Sequence, residues 1–379
     1  MNDTRQLPLE GLRVIEIGTM ITAPLAALIL AEMGAEVIKV ERPEGDPFRS
    51  FVGGSYSPHF RAYNKGKNSV TLDLREETDR ERLRQLLQGA DALVENFRPG
   101  VMDRLGFPAH VIARDYPQLV YCSITGFGTE GPYRDRPAYD TVALALSGVA
   151  NLKIDPAKPG ISGPTISDNV TGMYAAQAIV AALLGRERGK TARRVEVNML
   201  EASVAFIPDS YAMADDGHRV DRLTRVRASQ SYAMTSKEDK VIVIHLSSAV
   251  KFWYALLAAV DDPTLSDDPR FASRQDRYDN YEALQETLAE IFRRRTLEEW
   301  IDCLSKNDVP FSPALTIDEV PRNEQVQCLG TFSEITASDG KSYRVINAPL
   351  RFDGHRAHVR RAPPLLGEDN GRLIRSKAE

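Results

Sequence analysis

Asp168 stands in the stretch SGPTISDNVTG (162–172), just ahead of the apolar run Tyr174–Leu184 (YAAQAIVAALL). A carboxylate in that place has two uses. It can accept a backbone N–H and cap the coming helix, which is the commoner role. It can also attack an electrophilic carbonyl, because an ionised Asp is a nucleophile at neutral pH without a base to activate it. A helix N-terminus favours that ionised form. A second set of residues carries positive charge: Arg42, Arg75, Arg98 and Arg104. Singly, each reads as a solvated surface charge. Three of them follow predicted strands, a recurrence that suits an anionic, phosphate-bearing ligand.

The elements that must position these groups follow from hydrophobic pattern. Arg13–Ile17 reads as a strand, Pro24–Met33 as a helix stopped by Gly34, and Glu36–Val40 as a second strand. Such a βαβ unit implies two parallel strands joined by a right-handed crossover. The alternation continues with strand Ser69–Leu72, helix Glu76–Gln88, and strands Ala92–Glu95 and Leu119–Ile124. The fold class is therefore α/β, with a doubly wound domain that binds ligands at the carboxyl ends of its strands. The loops there are 18–24, 41–46, 96–100 and 125–132. The first, GTMITAP, has no GxGxxG, which disfavours a nicotinamide or flavin dinucleotide.

Beyond Asp168, Tyr174–Leu184 reads as a buried helix, Arg193–Asn198 as a strand and Met199–Phe206 as a helix. Residues 215–227 turn polar and charged and read as a linker. Strand Lys240–His245 and helices Ala249–Val260, Tyr281–Arg293 and Leu297–Lys306 suggest a smaller α+β domain, 228–320. Residues 321–328 form the return linker. The large domain is then 1–214 plus 329–379.

Composition excludes several classes. The 379 residues carry a formal net charge of -5, with no clustered basic excess of the kind nucleic-acid binding requires. The longest apolar run, 23–33, is too short to span a bilayer, and Met1–Gln6 lacks the apolar core of a signal peptide. Cys122, Cys303 and Cys328 are odd in number, far apart and without CxxC spacing. Neither a disulfide framework nor a zinc site is expected, and a reducing cytoplasm is the default.

Several segments, in order and spacing, resemble the class III coenzyme A transferase (CaiB/BaiF) family: LEGLRVIEIG, GAEVIKVERPEGDPFR, NKGKNSVTLDLR, ADALVENFRPGVMDRLG, SITGFGTEGPYRDRPAYD, DNVTGMYAAQAIVAALLGRERGK and, near the end, APPLLGEDN. The resemblance implies a large Rossmann-like domain, a small domain and an interlocked homodimer, with residues 360–379 packed back on the large domain. It implies transfer of CoA from an acyl-CoA to a carboxylic acid, with coenzyme A as substrate and no metal or redox cofactor. Asp168 matches the family nucleophile, which forms a mixed anhydride and then an aspartyl-CoA thioester; so reactive an anhydride needs a site closed to water. Arg42 matches the arginine at the nucleotide end. Ile21 and Thr22, the segment Leu72, Asp73, Leu74 and Arg75, the loop Asn96, Phe97 and Arg98, Arg104, and the stretch Pro137, Ala138, Tyr139 and Asp140 fall where the family contacts CoA.

The same residues have plainer readings. Tyr139 suits a partly buried ring, and Asp140 an N-cap for helix Thr141–Leu146. The chain also departs from the family. Ala23 replaces a glycine, Arg75 stands where lysine is usual, and Asp369 where histidine is usual. The glycine-rich substrate loop gives way to Ile244-His245-Leu246-Ser247-Ser248. His245 and Ser247 are therefore candidates for holding an acceptor carboxylate, and Arg49 and Arg61 for the second carboxylate of a dicarboxylate. Two rivals remain. An α-methylacyl-CoA racemase needs acid/base groups flanking an α-carbon, but Tyr139 occupies the racemase-type His position. A non-catalytic CoA-binding protein needs no nucleophile.

Overall fold

The computed structural model describes residues 7–52, 56–248, 250–338, 340–356 and 361–374. Met1–Gln6, Ala249, Arg360 and residues 375–379, which carried sequence expectations, lie outside them. The chain divides into two compact units: Met1–Ala150, Gly160–Tyr211 and Glu324–Glu379 in the first, Asn151–Pro159 and Ala212–Asn323 in the second.

The first unit is built on a six-stranded sheet: β1 (Arg13–Glu16), β2 (Glu36–Glu41), β3 (Lys67–Thr71), β4 (Ala92–Glu95), β5 (Val120–Thr125) and β6 (Arg194–Asn198). Its order is β3-β2-β1-β4-β5-β6, and every pairing is parallel. The α/β class is as expected. Chain direction across the sheet reverses between β1 and β4, the place where a parallel sheet opens a crevice at its carboxyl edge. One face packs on helices Thr22–Glu32 and Ser167–Glu187 through Val14, Val37, Val94 and Ile179, all buried. The other packs on helix Glu77–Gln88 through Ile15, Ile38 and Leu83.

Strand β3 starts at Lys67, two residues before its apolar pattern begins. The reason is electrostatic: the Lys67 ammonium is fully buried but donates to Glu16 Oε2 at 2.7 Å, Pro24 O at 2.8 Å and Asn64 Oδ1 at 3.0 Å. A charge so satisfied can sit where a hydrophobic pattern would not place it. The C-terminal stretch covers this edge. Ser69 N–H donates to Asp369 Oδ2 at 2.9 Å, Asp369 N–H returns to Ser69 O at 2.9 Å, and Arg361 pairs with the same carboxylate at 2.7 Å. The unusual Asp369 is thus an edge-strand clamp.

The second unit holds an antiparallel sheet of β7 (Ser231–Thr235), β8 (Val241–His245) and β9 (Phe311–Pro313), in that order. Its helices close over a core centred on Trp300, whose indole stacks on Phe292 at 4.1 Å. The stretches read as linkers are not bare. Helix Thr224–Ser229 starts inside 215–227 and runs past its end, entered through Asp221, which accepts the Leu223 and Thr224 N–H groups at 2.9 and 3.0 Å. Helix Glu324–Cys328 occupies the other.

Candidate active site at the carboxyl ends of the strands

A buried ionic network underlies the crevice. Glu16, at the end of β1, accepts from Lys39 at 2.7 Å and from Lys67 at 2.7 Å. Lys39 reaches on to Asp46 at 2.9 Å and to Gly18 O at 2.9 Å. Burial alone would lower the Lys39 pKa, but Glu16 and Asp46 together raise it, so the ammonium stays charged. Asp46 uses its remaining capacity on the first loop: both carboxylate oxygens accept the Met20 N–H, at 3.2 and 3.3 Å. Met20 sits at φ 65°, a left-handed conformation costing about 1–3 kcal/mol in a non-glycine residue. The network holds that strained loop in place.

The loop after β4 is tied to the first by one side chain. Asn96 Oδ1 accepts Thr19 N–H at 2.9 Å, and its amide donates to Thr19 O at 2.8 Å and Thr22 Oγ1 at 2.9 Å. Asn96 and Thr22, expected beside CoA, are engaged with each other. Beneath them Glu95 is buried, which raises its pKa, and it accepts the Phe97 N–H at 2.7 Å. Ala23 is buried against Gly18, where an added Cβ would come within 2.3 Å of the Ala23 Cβ. The chain thus keeps the loop tight with its small residue at 18 rather than 23.

Two clefts open on these loops. The first, of about 360 Å³, is lined by Arg42, Leu72, Asp73, Leu74, Arg75 and Phe97 among others. Arg42 is exposed and donates to Gly45 O at 3.0 Å. Arg75 is also exposed, forked on Asp73 at 2.8 and 2.7 Å. The second cleft, of about 350 Å³, is lined by Ile21, Thr22, Asn96, Arg98, Ala138, Tyr139 and Asp168, with Thr19 and Phe97 common to both. They adjoin across Thr19 and Phe97 as one path for an elongated ligand. Arg104 and Pro137 are exposed and Asp140 is buried; none of the three lines either cleft. His245 and Ser247 belong to the second unit, where His245 Nδ1 bonds Ser231 Oγ at 2.7 Å and Nε2 bonds Ser247 Oγ.

Asp168 is the second residue of the Ser167–Glu187 helix, whose N-cap position is Ile166; no side chain caps it there. The helix is drawn close to the first loop at Gly172, where an added Cβ would meet Thr22 O at 2.9 Å and Leu25 Cβ at 3.0 Å. Its start is further anchored by Ser203 Oγ, which donates to Ser167 Oγ at 2.8 Å. Asp140 is the first residue of helix Asp140–Leu146, one position earlier than expected, and it does not cap that helix. Its Oδ1 accepts the Asp168 N–H at 3.3 Å, holding two carboxylates side by side. Burial, with Asp140 as a like charge, pushes the half-buried Asp168 carboxyl up to about 7. The carboxyl is therefore held well above the ordinary carboxylate range, against the helix N-terminus that favours its ionised form. Burial outweighs the helix N-terminus, which contributes only about 0.3–1 kcal/mol the other way.

Arg49 is not free for a substrate. It is buried, forked on Glu41 at 2.7 and 2.7 Å, and lies over Phe60 at 3.8 Å. Arg134, Arg136 and Met199 are among the lining residues that escaped the sequence reading. The arginines stand in the quoted stretch GPYRDRPAYD, and Met199 directly follows β6; no local pattern separates them from surface or core.

The profile described as CoA-transferase family III matches residues 9–370. The acetyl-CoA:oxalate CoA-transferase of Acetobacter aceti is 34% identical over 319 residues, covering 82% of each chain. The probable fatty acyl-CoA transferase Rv3272 of Mycobacterium tuberculosis is 31% identical over 384 residues, 96% of each chain. Its solved structure superposes with a TM-score of 0.85, covering 97% of this chain and 99% of that one. A CAIB/BAIF family protein from Brucella suis also has a TM-score of 0.85, at 28% identity over 97% of this chain and 98% of that one.

Proposed function

We propose that the chain, which belongs to CoA-transferase family III, moves coenzyme A from an acyl-CoA donor to a free carboxylic acid, with Asp168 as the group that carries the acyl unit. The observation that carries this reading is the Asp168 carboxyl, half-buried and opening into a cleft continuous with one lined by Arg42 and Arg75.

In this reading the ionised Asp168 attacks the donor thioester carbonyl and expels CoA thiolate, leaving an acyl-aspartyl anhydride. The thiolate attacks the aspartyl carbonyl, giving an aspartyl-CoA thioester and the free donor acid. The acceptor carboxylate attacks that thioester, expelling CoA and forming a second anhydride. CoA thiolate then attacks the acceptor's acyl carbon, and Asp168 is regenerated. Every acyl carbon keeps its oxidation level and no proton is gained or lost over the cycle, so these steps call for no redox group. Arg42 and Arg75 would pair with phosphates, Arg98 and Arg104 would extend that field, and Phe97 would cover the apolar part of CoA where the clefts join. Ala138, Tyr139 and Met199 would bound the reacting end. The acceptor is open between a short dicarboxylate, as the name of the Acetobacter relative suggests, and a fatty acid, as that of Rv3272 suggests. A homodimer is supported by Val142, Leu146, Leu184 and Phe206, apolar side chains exposed in the first unit. A reducing compartment is supported by three free cysteines.

The test is mass spectrometry of the acyl-CoA pool. The protein is incubated in D2O with succinyl-CoA, a 2-methylacyl-CoA and a mixture of free acids. New acyl-CoA species matching the added acids, absent with Asp168→Ala, are expected. Deuterium at an α-carbon without new species would replace this proposal with racemisation.

A further inference from the structure

Glu95 ends β4 on the face that carries Leu93, and it is 2% exposed. A carboxyl buried there is costly unless its oxygens are used. Glu95 uses both. Oε2 accepts the Phe97 N–H at 2.7 Å, and Oε1 accepts the Tyr121 hydroxyl at 3.2 Å. Ser123, its register partner on β5, also hydrogen-bonds the carboxyl. One strand further, the Arg194 guanidinium lies over the Tyr121 ring at 4.0 Å. Burial still holds the carboxyl above its ordinary range, with the hydrogen bonds and Arg194 pulling it back. Core packing alone would favour an aliphatic residue at this position.

A polar ladder thus crosses three strands and ends on one backbone N–H. That N–H belongs to Phe97, which lines both clefts. Its ring is half-buried against the same core as Leu93. Asn96 ties the start of this loop to the first loop, and Gly100 turns its end at φ 77°. Glu95 fixes the main chain between those two points, at the residue that stands where the clefts join. Without that anchor, part of the free energy of ligand binding would go to ordering the loop.

We propose that Glu95 is a positioning residue for coenzyme A, acting through Phe97 to set the aromatic wall at the joint of the two clefts. It lines neither cleft and touches no substrate itself. The proposal rests on the reading that these clefts hold CoA. Tyr121 holds the far oxygen of Glu95 and leaves the bond to Phe97 untouched, so it contributes to stability and not to the loop.

The experiment is isothermal titration of the full-length protein with CoA, paired with thermal unfolding of each variant. Glu95→Gln keeps an oxygen for the Phe97 N–H and an amide for the Tyr121 oxygen, so it should bind CoA within about fivefold of wild type. Glu95→Met and Glu95→Leu, two apolar residues of similar size without an acceptor, should each weaken CoA about tenfold or more. Tyr121→Phe should lower the unfolding temperature while CoA affinity stays within about threefold. Phe97→Ala should weaken CoA too, and Glu95→Met added to it should cost no more than about twofold further, because the carboxyl acts through that residue. A merely structural Glu95 would leave CoA affinity equal in every folded variant. Wild-type affinity in Glu95→Met or Glu95→Leu, an equal loss in Tyr121→Phe, or full additivity with Phe97→Ala would overturn the proposal alone. Wild-type protein that binds no CoA would overturn the reading of the clefts along with it.

Discussion

Replacing Asp168 by Asn should abolish transfer and stabilise the protein, two effects with one cause. The carboxyl sits at about 7 in the folded chain against an ordinary 3.8, because burial and Asp140 disfavour its charge. The sign follows from proton counting. Between these two values the folded state binds more protons than the unfolded state, so stability falls as pH rises through that window and the cost is complete above pH 7. At 1.36 kcal/mol per pH unit the ceiling is on the order of 4 kcal/mol. Asp168 keeps some contact with water, which brings the expected cost nearer about 1–3 kcal/mol. An amide carries no charge and can donate to Asp140, so Asp168→Asn recovers that cost. Denaturant unfolding of the CoA-free protein at pH 8 should show the gain, and at pH 5 it should shrink to about a third, since most of the window lies above that pH. Most substitutions destabilise, so a stabilising change that removes all turnover is diagnostic of a group held against its own preference for function. Equal stability of variant and wild type at pH 8, or turnover by both Asp168→Asn and Asp168→Ala, would refute the reasoning.

Three further outcomes follow from the geometry. The rate of donor acylation, read as kcat/KM for the acyl-CoA, should climb with pH to a plateau above about 7; Asp140→Asn removes the neighbouring charge and should move that acidic limb down by up to about 1 pH unit, read from the pH–rate profile. Gly172→Ala forces a Cβ within 2.9 Å of Thr22 O and 3.0 Å of Leu25 Cβ, so it should cost about 1–3 kcal/mol in thermal unfolding and raise KM for the donor as the helix moves off the first loop. Arg49→Ala breaks a buried, forked pair with Glu41 and should cost about 3–5 kcal/mol of stability; a soluble, fully stable variant with only a raised KM for dicarboxylates would instead restore a substrate-binding role.

What was legible in the sequence was what short-range patterns encode. The β1, β2, β4 and β5 strands and the helix containing Asp168 follow from apolar spacing, and four strand-end loops supply the walls of the two clefts. The start of β3 was hidden because Lys67 and Asn68 look like solvent-facing residues. Only the three-dimensional meeting of Lys67 with Glu16, 51 positions away, makes that charge tolerable in a strand. Arg49 misled for the same reason: a buried ion pair and a solvated arginine have one and the same spelling. The role of Asp140 lay equally out of reach, since its carboxylate serves Asp168, 28 residues later in another helix, rather than its own.

That placement of Asp140 bears on why the carboxyl of Asp168 should be raised at all. A nucleophile's reactivity rises with its basicity, and the fraction ionised falls as its pKa climbs past the ambient pH. A carboxylate at 3.8 would be wholly ionised at neutrality but a weak nucleophile and an easily expelled leaving group. Raised to about 7, it would trade part of its ionised population for a stronger attack on the thioester in the proposed mechanism. The partial burial that raises it would also limit the water able to hydrolyse the proposed anhydride. Asp140 contributes to both sides: its charge lifts the pKa, while its hydrogen bond from the Asp168 N–H fixes the backbone beneath the proposed nucleophile. On the proposed mechanism Asp140 therefore acts through Asp168 as a positioning residue, even though it lines neither cleft itself.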